Sequence, residues 1–299
     1  MKTEFHTNPD IAAAFISYCN SLPSVSRVLP ERFLKLMETN TGSVGALTPY
    51  GLDENGLERR NPLVVVLGDS VTAGHFESTT YADNMIKAGR IPGPADTAYP
   101  QGIQDVLTSY PDRFRKKLVE LYSITAVNVL NAGIAGDTLI GMDARLQRDV
   151  ISFQPDLVII NGTLNWTEQM GSSEIFKEKL AAIVDRIKDN TNADIILLTP
   201  NMNDAEKISR LTGRRDTLCD RVEMVRQVAE EKMLCLADAY RVWEGFVAQG
   251  YKVGELLANG FHHPSEAGHE VFALELMKLF PKQVHDAKWN QEAASPCKK

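Results

Sequence analysis

The sequence predicts an α/β fold built on a parallel sheet with helices on both faces. Three observations predict it: short apolar runs, segments of helical spacing between them, and small-residue turns where several of the runs end. An apolar run too brief for a helix and bounded by Gly or Pro is the mark of a strand buried on both sides. Strands alternating with helices belong to a sheet covered on both faces. Right-handed crossovers then line up the carboxyl ends of the strands along one edge, where such sheets hold their ligands.

In chain order, residues 11–19 and 31–37 have the spacing of amphipathic helices. Residues 1–60 are short for an independent domain and are taken as an extension packed on the core. Leu63-Val64-Val65-Val66-Leu67, between Pro62 and Gly68, is the first strand. Residues 75–110 contain Gly89, Pro92, Gly93, Pro94, Pro100 and Gly102 and form a long loop, either a lid or wall over the turn that precedes it or a surface excursion. Helical spacing at 114–121, 143–151, 175–188 and 216–231 is interleaved with strands at 126–130, 157–160, 195–198 and 233–236. The last helix starts near Ser265, in Pro264-Ser265-Glu266-Ala267-Gly268, and runs to Phe280. The main domain is therefore 61–285, with a tail at 286–299.

With 299 residues, 43% hydrophobic and 24% charged, the chain can bury a sizeable core. A formal charge of −7 and no concentrated basic face argue against nucleic acid as a partner. The start Met1-Lys2-Thr3-Glu4-Phe5-His6 lacks a secretory pattern and no apolar stretch would span a bilayer, so a cytoplasmic location away from membranes is expected. Cys19, Cys219, Cys235 and Cys297 show no paired spacing, which fits free thiols and no zinc site. Oligomeric state is not legible.

The chemistry sits in the turns. Gly68-Asp69-Ser70 ends the first strand and presents one hydroxyl, a weak nucleophile that needs a histidine as base. Asn131-Ala132-Gly133-Ile134-Ala135-Gly136-Asp137 follows the second strand, with glycines that either expose backbone N–H groups to an oxyanion or merely permit the turn. Asn161-Gly162-Thr163-Leu164-Asn165-Trp166 follows the third, where Asn165 is an amide donor or a turn residue. Asn259-Gly260-Phe261-His262-His263-Pro264 precedes the last helix; Pro264 fixes the backbone after His263, and at least one histidine of this region, which includes His269, is structural. Adjacent histidines point apart and no carboxylate stands at ligand spacing, so no metal and no cofactor are expected.

In order, these blocks resemble the SGNH or GDSL hydrolase family from about Leu63 to Phe280. The resemblance implies a three-layer α/β/α sandwich with a five-stranded parallel sheet, flavodoxin-like in order, and hydrolysis of esters through an acyl-enzyme. It makes Ser70 the nucleophile and His263 the base, and assigns Ser70 N–H, Gly136 and Asn165 to the oxyanion hole. Two departures stand out. The third block usually reads Gly-x-Asn-Asp, but here it is Thr163-Leu164-Asn165-Trp166, with Trp166 a candidate substrate wall. The Asp expected three residues before the histidine is replaced by Gly260, which leaves a Ser-His dyad oriented by Asn259 or a backbone carbonyl, or an acid recruited from Glu255. The resemblance is to a carbohydrate-esterase-like branch, so the expected partner is a small-molecule ester with a small acyl group, acetyl first, and an acylated carbohydrate is one form it can take. The alternatives are a lysophospholipase or thioesterase-type acylhydrolase, or a noncatalytic ligand-binding protein.

Overall fold

The computed structural model describes residues 8–39, 61–77, 102–122, 126–213 and 216–281. The chain opens with helices α1 (Pro9–Ser21) and α2 (Glu31–Thr39), the first capped by the Asn8 side chain and started by Pro9. Strand β1 (Leu63–Gly68) follows, then a small antiparallel ribbon of β2 (His75–Glu77) and β3 (Gly102–Gln104). After these come α3 (Tyr110–Leu121), β4 (Asn128–Gly133), α4 (Leu139–Asp149), β5 (Leu157–Asn161) and α5 (Ser173–Asn190). The chain continues with β6 (Asp194–Leu198), α6 (Ala205–Thr212), α7 (Leu218–Glu231), β7 (Cys235–Ala237), α8 (Ala239–Val247) and α9 (Glu266–Met277).

The five-stranded sheet has the order β4-β1-β5-β6-β7 and every pairing in it is parallel. From β1 the chain goes to β4 on one side and then returns to β5 on the other, so strand order reverses at β1 and a crevice opens beyond its carboxyl end. Side chains alternate between two apolar layers, as a doubly covered sheet requires. Val64 and Val66, Leu157 and Ile159, and Ile196 and Leu198 join one cluster with α1, α2, α3, α8 and α9. Val65 and Leu67, Val158 and Ile160, and Ile195 and Leu197 join the other with α4, α5 and α7. This is the three-layer sandwich that the sequence implied.

The amino-terminal helices belong to the first layer. Phe15 and Phe33 are fully buried, Phe15 edge-on to Trp243 at 4.9 Å and Phe33 edge-on to Phe280 at 5.9 Å. The Asp194 carboxylate accepts from Phe33 N at 2.8 Å and ties α2 to the start of β6. Each fully buried aromatic removes enough apolar surface to stabilise the fold by about 2–3 kcal/mol.

Several boundaries differ from the sequence expectation. Helix α3 starts at Tyr110 rather than 114, because Pro111 lies in the first turn, where a missing N–H costs nothing. The strand expected at 126–130 runs on to Gly133. Met233, taken as part of a strand, is 71% exposed at φ 52°, in the turn that ends α7, so β7 begins only at Cys235. Within the segment 75–110 taken as a long loop, residues 75–77 and 102–104 pair as β2 and β3; residues 78–101, which would make most of a lid, wall or surface excursion, lie outside the described residues. Helices α6 and α8 were not anticipated. Among the described residues, no helix is long and apolar enough to cross a membrane.

Candidate active site

Beyond β1 the backbone folds straight into a tight turn. Ala73 N donates to Asp69 O at 2.9 Å and His75 N to Ser70 O at 2.9 Å, while the Asp69 side chain accepts from Val71 N at 3.0 Å. Two glycines permit this turn against its neighbours. A Cβ on Gly68 would stand 1.9 Å from Thr72 Oγ1, and one on Gly133 would stand 2.3 Å from Ala73 N, so β4 can approach the turn only because residue 133 has no side chain. Asn131 completes the contact by donating to Thr72 O at 2.7 Å.

The histidine loop is a miniature hairpin ahead of α9. Ala258 N donates to His263 O at 2.8 Å and Ser265 N to Leu256 O at 2.9 Å, with Gly260 at φ 73° in the bend. The Asn259 side-chain carbonyl accepts from the N–H groups of Phe261, His262 and His263 at 3.1, 2.9 and 3.0 Å. Its amide contacts His262 Nδ1 at 3.1 Å. The loop is moored just beyond β6, where Asn201 donates to His262 O at 2.7 Å, and to α6, where Lys207 Nζ donates to Gly260 O at 2.7 Å.

These two turns meet. Ser70 Oγ lies 2.9 Å from His263 Nε2, and both residues are buried. Burial drives the His263 imidazole well below its ordinary pKa, and the neighbouring His262, His75 and His269 add to the effect. His262 is pushed down to about 4 by burial and then by His75. His269 is the structural histidine: it is fully buried on α9, and its Nδ1 accepts from Tyr110 N at 3.1 Å.

The other predicted positions fall around this pair. Gly136, at φ 76°, has open space where a Cβ would stand. Asn165 donates to Asp137 O at 3.0 Å, which joins the turn after β5 to the turn after β4. Glu255 accepts from Lys252 N at 3.3 Å within its own 3-10 turn. Trp166 is 2% exposed, its indole N–H donates to Gly171 O at 3.0 Å and its ring meets Phe176 edge-on, so the ring packs largely in the core, and the residue also lines the cavity beside Asn165. A cavity of about 530 Å³ opens beside Asn165 and His262. Among the described residues no group of His, Cys, Asp and Glu is arranged to hold a metal ion.

Sequence reasoning missed Arg145, Asp69 and His75. Arg145 is buried on α4 and donates to Asp137 Oδ2 at 2.6 Å, Ala132 O at 2.8 Å, Asp149 Oδ2 at 2.8 Å and Gly68 O at 2.9 Å. One guanidinium thus clamps the ends of β1 and β4 to the residue after Gly136. The signal was a charged residue on the same helix stripe as Leu139, Met142 and Leu146. Asp69 is fully buried with Oδ2 lacking a hydrogen-bond partner, and burial pushes its carboxyl up to about 7, aided by the charge of Asp137. The His75 ring lies edge-on to His263 at 5.3 Å.

This sheet gathers polar groups at its switch point, where such folds hold their ligands. The GDSL-like Lipase/Acylhydrolase family matches residues 66–271, more than half of the chain, and the protein belongs to that family. An acetylxylan esterase from Geobacillus stearothermophilus is 26% identical over 170 residues, which cover 54% of this chain and 75% of the relative. The crystal structure of Axe2, an acetylxylan esterase from the same organism, superposes with a TM-score of 0.55 at 22% identity, covering 74% of this chain and 94% of that one. The lipase/acylhydrolase from Enterococcus faecalis superposes with a TM-score of 0.51 at 22% identity over 73% and 95%. The protein is an esterase or acylhydrolase.

Proposed function

We propose that the protein is a serine esterase that removes small acyl groups, acetyl first among them, from hydroxylated substrates such as acylated carbohydrates. The observation that carries this reading is the 2.9 Å contact between Ser70 Oγ and His263 Nε2. Neutral His263 takes the hydroxyl proton at Nε2 as Ser70 Oγ bonds to the ester carbonyl carbon, and the carbonyl oxygen becomes an oxyanion. Ser70 N–H, Gly136 N–H and the Asn165 amide are its donors, from the turns after β1, β4 and β5. As the carbonyl re-forms, the bond to the alcohol oxygen breaks and that oxygen takes the proton from His263. Water then attacks the acyl-serine with His263 again as base, and the carboxylic acid and free Ser70 result. The acetyl preference is carried over from the similarity to the acetylxylan esterase. In this reading residues 61–285 are the catalytic unit, residues 1–60 an extension whose helices α1 and α2 complete one apolar layer, and 286–299 a tail.

A fluorophosphonate probe tests the nucleophile. The intact protein is expected to label and to hydrolyse 4-nitrophenyl acetate faster than long-chain esters, and Ser70→Ala and His263→Ala are each expected to lose labelling and at least about a thousandfold in kcat. No labelling and no turnover in a folded protein would make it a ligand-binding protein instead. Much faster turnover of long acyl chains would replace the acetyl assignment with a lysophospholipase or thioesterase.

A further inference from the structure

His262 is half-buried on the histidine loop and lines the cavity beside Asn165. The hydrogen bonds around Asn259 settle where its proton sits. One Asn259 side-chain atom meets three donors, the N–H groups of Phe261, His262 and His263 at 3.1, 2.9 and 3.0 Å, so that atom is the carbonyl oxygen. The atom that faces His262 Nδ1 at 3.1 Å is therefore the NH2 nitrogen, whose group only donates. Nδ1 has to accept from it, because a proton there would set two donors against each other. The neutral ring thus carries its proton on Nε2. Burial, and then His75, hold the pKa down to about 4, so the ring keeps this form at neutral pH.

The loop makes this N–H a fixed group. The His262 ring packs on those of Phe261 and His263, with centroids 4.2 and 4.0 Å away, and its carbonyl is held by Asn201. Among the described residues Nε2–H meets no acceptor, and it is not sealed in the interior, so it is open to what enters the cavity. A neutral N–H selects an ether or hydroxyl oxygen over a hydrocarbon, and lacks the charge that would favour a carboxylate or phosphate. Asn165, an oxyanion donor in the reaction proposed above, lines the same cavity. In that reaction the leaving oxygen takes its proton from His263, so the departing alcohol lies against the loop that carries both histidines.

We propose that His262, locked as its Nε2–H tautomer by Asn259, is a substrate-binding donor that holds an ether or hydroxyl oxygen close to the scissile bond on the alcohol side, and so sets a preference among small esters. The proposal rests on the esterase reading above and adds to it a residue and the atom that residue reads. It holds whatever the rest of the alcohol is. Asn259 acts on His262 as a positioning residue, since its amide fixes which ring nitrogen donates.

The test compares kcat/KM for 2-methoxyethyl acetate and butyl acetate, whose alcohols match in length and differ by one acceptor oxygen. Their ratio is expected to fall about three- to tenfold in His262→Phe, through KM for the methoxy ester, because one neutral hydrogen bond is lost. His262→Gln, whose amide donates, is expected to recover part of it. An unchanged ratio, or an equal loss of kcat on both esters, overturns the proposal and makes His262 a packing partner of His263, while turnover leaves the esterase reading standing. A change confined to ethyl methoxyacetate against ethyl butyrate overturns the alcohol side. Should His262→Phe not fold, two-bond 1H–15N spectra of histidine-labelled protein decide the matter, with His262 assigned by its loss in His262→Gln. The Nε2–H pattern is expected at pH 7, and in Ser70→Ala Nε2 is expected to shift on adding the methoxy ester and not the butyl ester. An Nδ1–H pattern, or no such shift, overturns the proposal. No turnover of any ester by the intact protein defeats the esterase reading, and this proposal falls with it.

Discussion

Replacing Arg145 with lysine separates what holds the site together from what carries out its chemistry. The guanidinium reaches Asp137 Oδ2 at 2.6 Å, Ala132 O and Asp149 Oδ2 at 2.8 Å each and Gly68 O at 2.9 Å. An ammonium is a single point on a flexible stem and cannot span acceptors at the ends of two strands and on a loop at once. At least two of these buried acceptors then lose their partner, at about 1–3 kcal/mol each, so Arg145→Lys is expected to destabilise by about 2–6 kcal/mol. Removing the side chain in Arg145→Ala leaves Asp137 and Asp149 without their shared cation and is expected to cost about 3–5 kcal/mol. Against a total stability on the order of 5–15 kcal/mol, the lysine variant still folds. Urea unfolding reads the first quantity. The second is kcat on 4-nitrophenyl acetate well below the transition, where a displaced Gly136–Asp137 turn is expected to lower kcat about tenfold to a hundredfold with KM nearly constant. A variant that loses stability but keeps its kcat would refute the positioning role, and one that loses neither would show that the clamp contributes nothing.

The pH dependence of kcat/KM has a definite sign. In the proposed reaction His263 is a base only when neutral, and its pKa is held well below 6.5 by burial and by three neighbouring histidines, so the acid limb of the profile is expected below pH 6.5; a midpoint at or above that value contradicts the proposal. Asp69 acts on stability instead. Its folded pKa of about 7 lies above its ordinary value of 3.8, so the folded state binds the extra proton, and stability falls as pH rises from about 4 to about 7 before levelling off. The ceiling on that loss is about 4 kcal/mol, at about 1.4 kcal/mol per pH unit, and Asp69→Asn is expected to flatten the curve of unfolding free energy against pH. The two turn glycines should behave differently: Gly133→Ala, whose Cβ would meet Ala73 N at 2.3 Å, is expected not to accumulate as folded protein. Gly136→Ala has space and only the strain of φ 76°, and is expected to fold with a loss of about 1–2 kcal/mol by thermal unfolding.

How much of this could be seen in the sequence follows from how local each cause is. Strands β1, β5 and β6 were legible because a strand buried on both faces is apolar at every position, with no context needed. Strand β7 shifted because Met233 is apolar but sits in a left-handed turn, a conformation its composition does not announce. Helix α8 escaped because its face is decided by a partner far away in sequence: Gly245 is where Tyr18 of α1 crosses, with a would-be Cβ only 2.0 Å from the phenol oxygen. Ser70 and His263 were legible because each stands in its own short block. Arg145 was not, since its bond to Gly68 O exists only once β4 and β1 lie side by side.

The missing aspartate fits the same logic. At residue 260 the backbone is at φ 73°, a conformation that favours glycine, and its carbonyl accepts from Lys207 Nζ, so this bend is shaped for a residue with no side chain. What Asn259 provides is orientation through the main chain: one amide oxygen gathers three successive N–H groups, and the Ala258–His263 bond and Pro264 fix the rest of the hairpin. A carboxylate at 259 could accept the same bonds, yet it could not also donate to His262 Nδ1 as the amide can. The loop that carries the histidine beside Ser70 is thus held through its main chain, after β6, at α6 and at the start of α9 together.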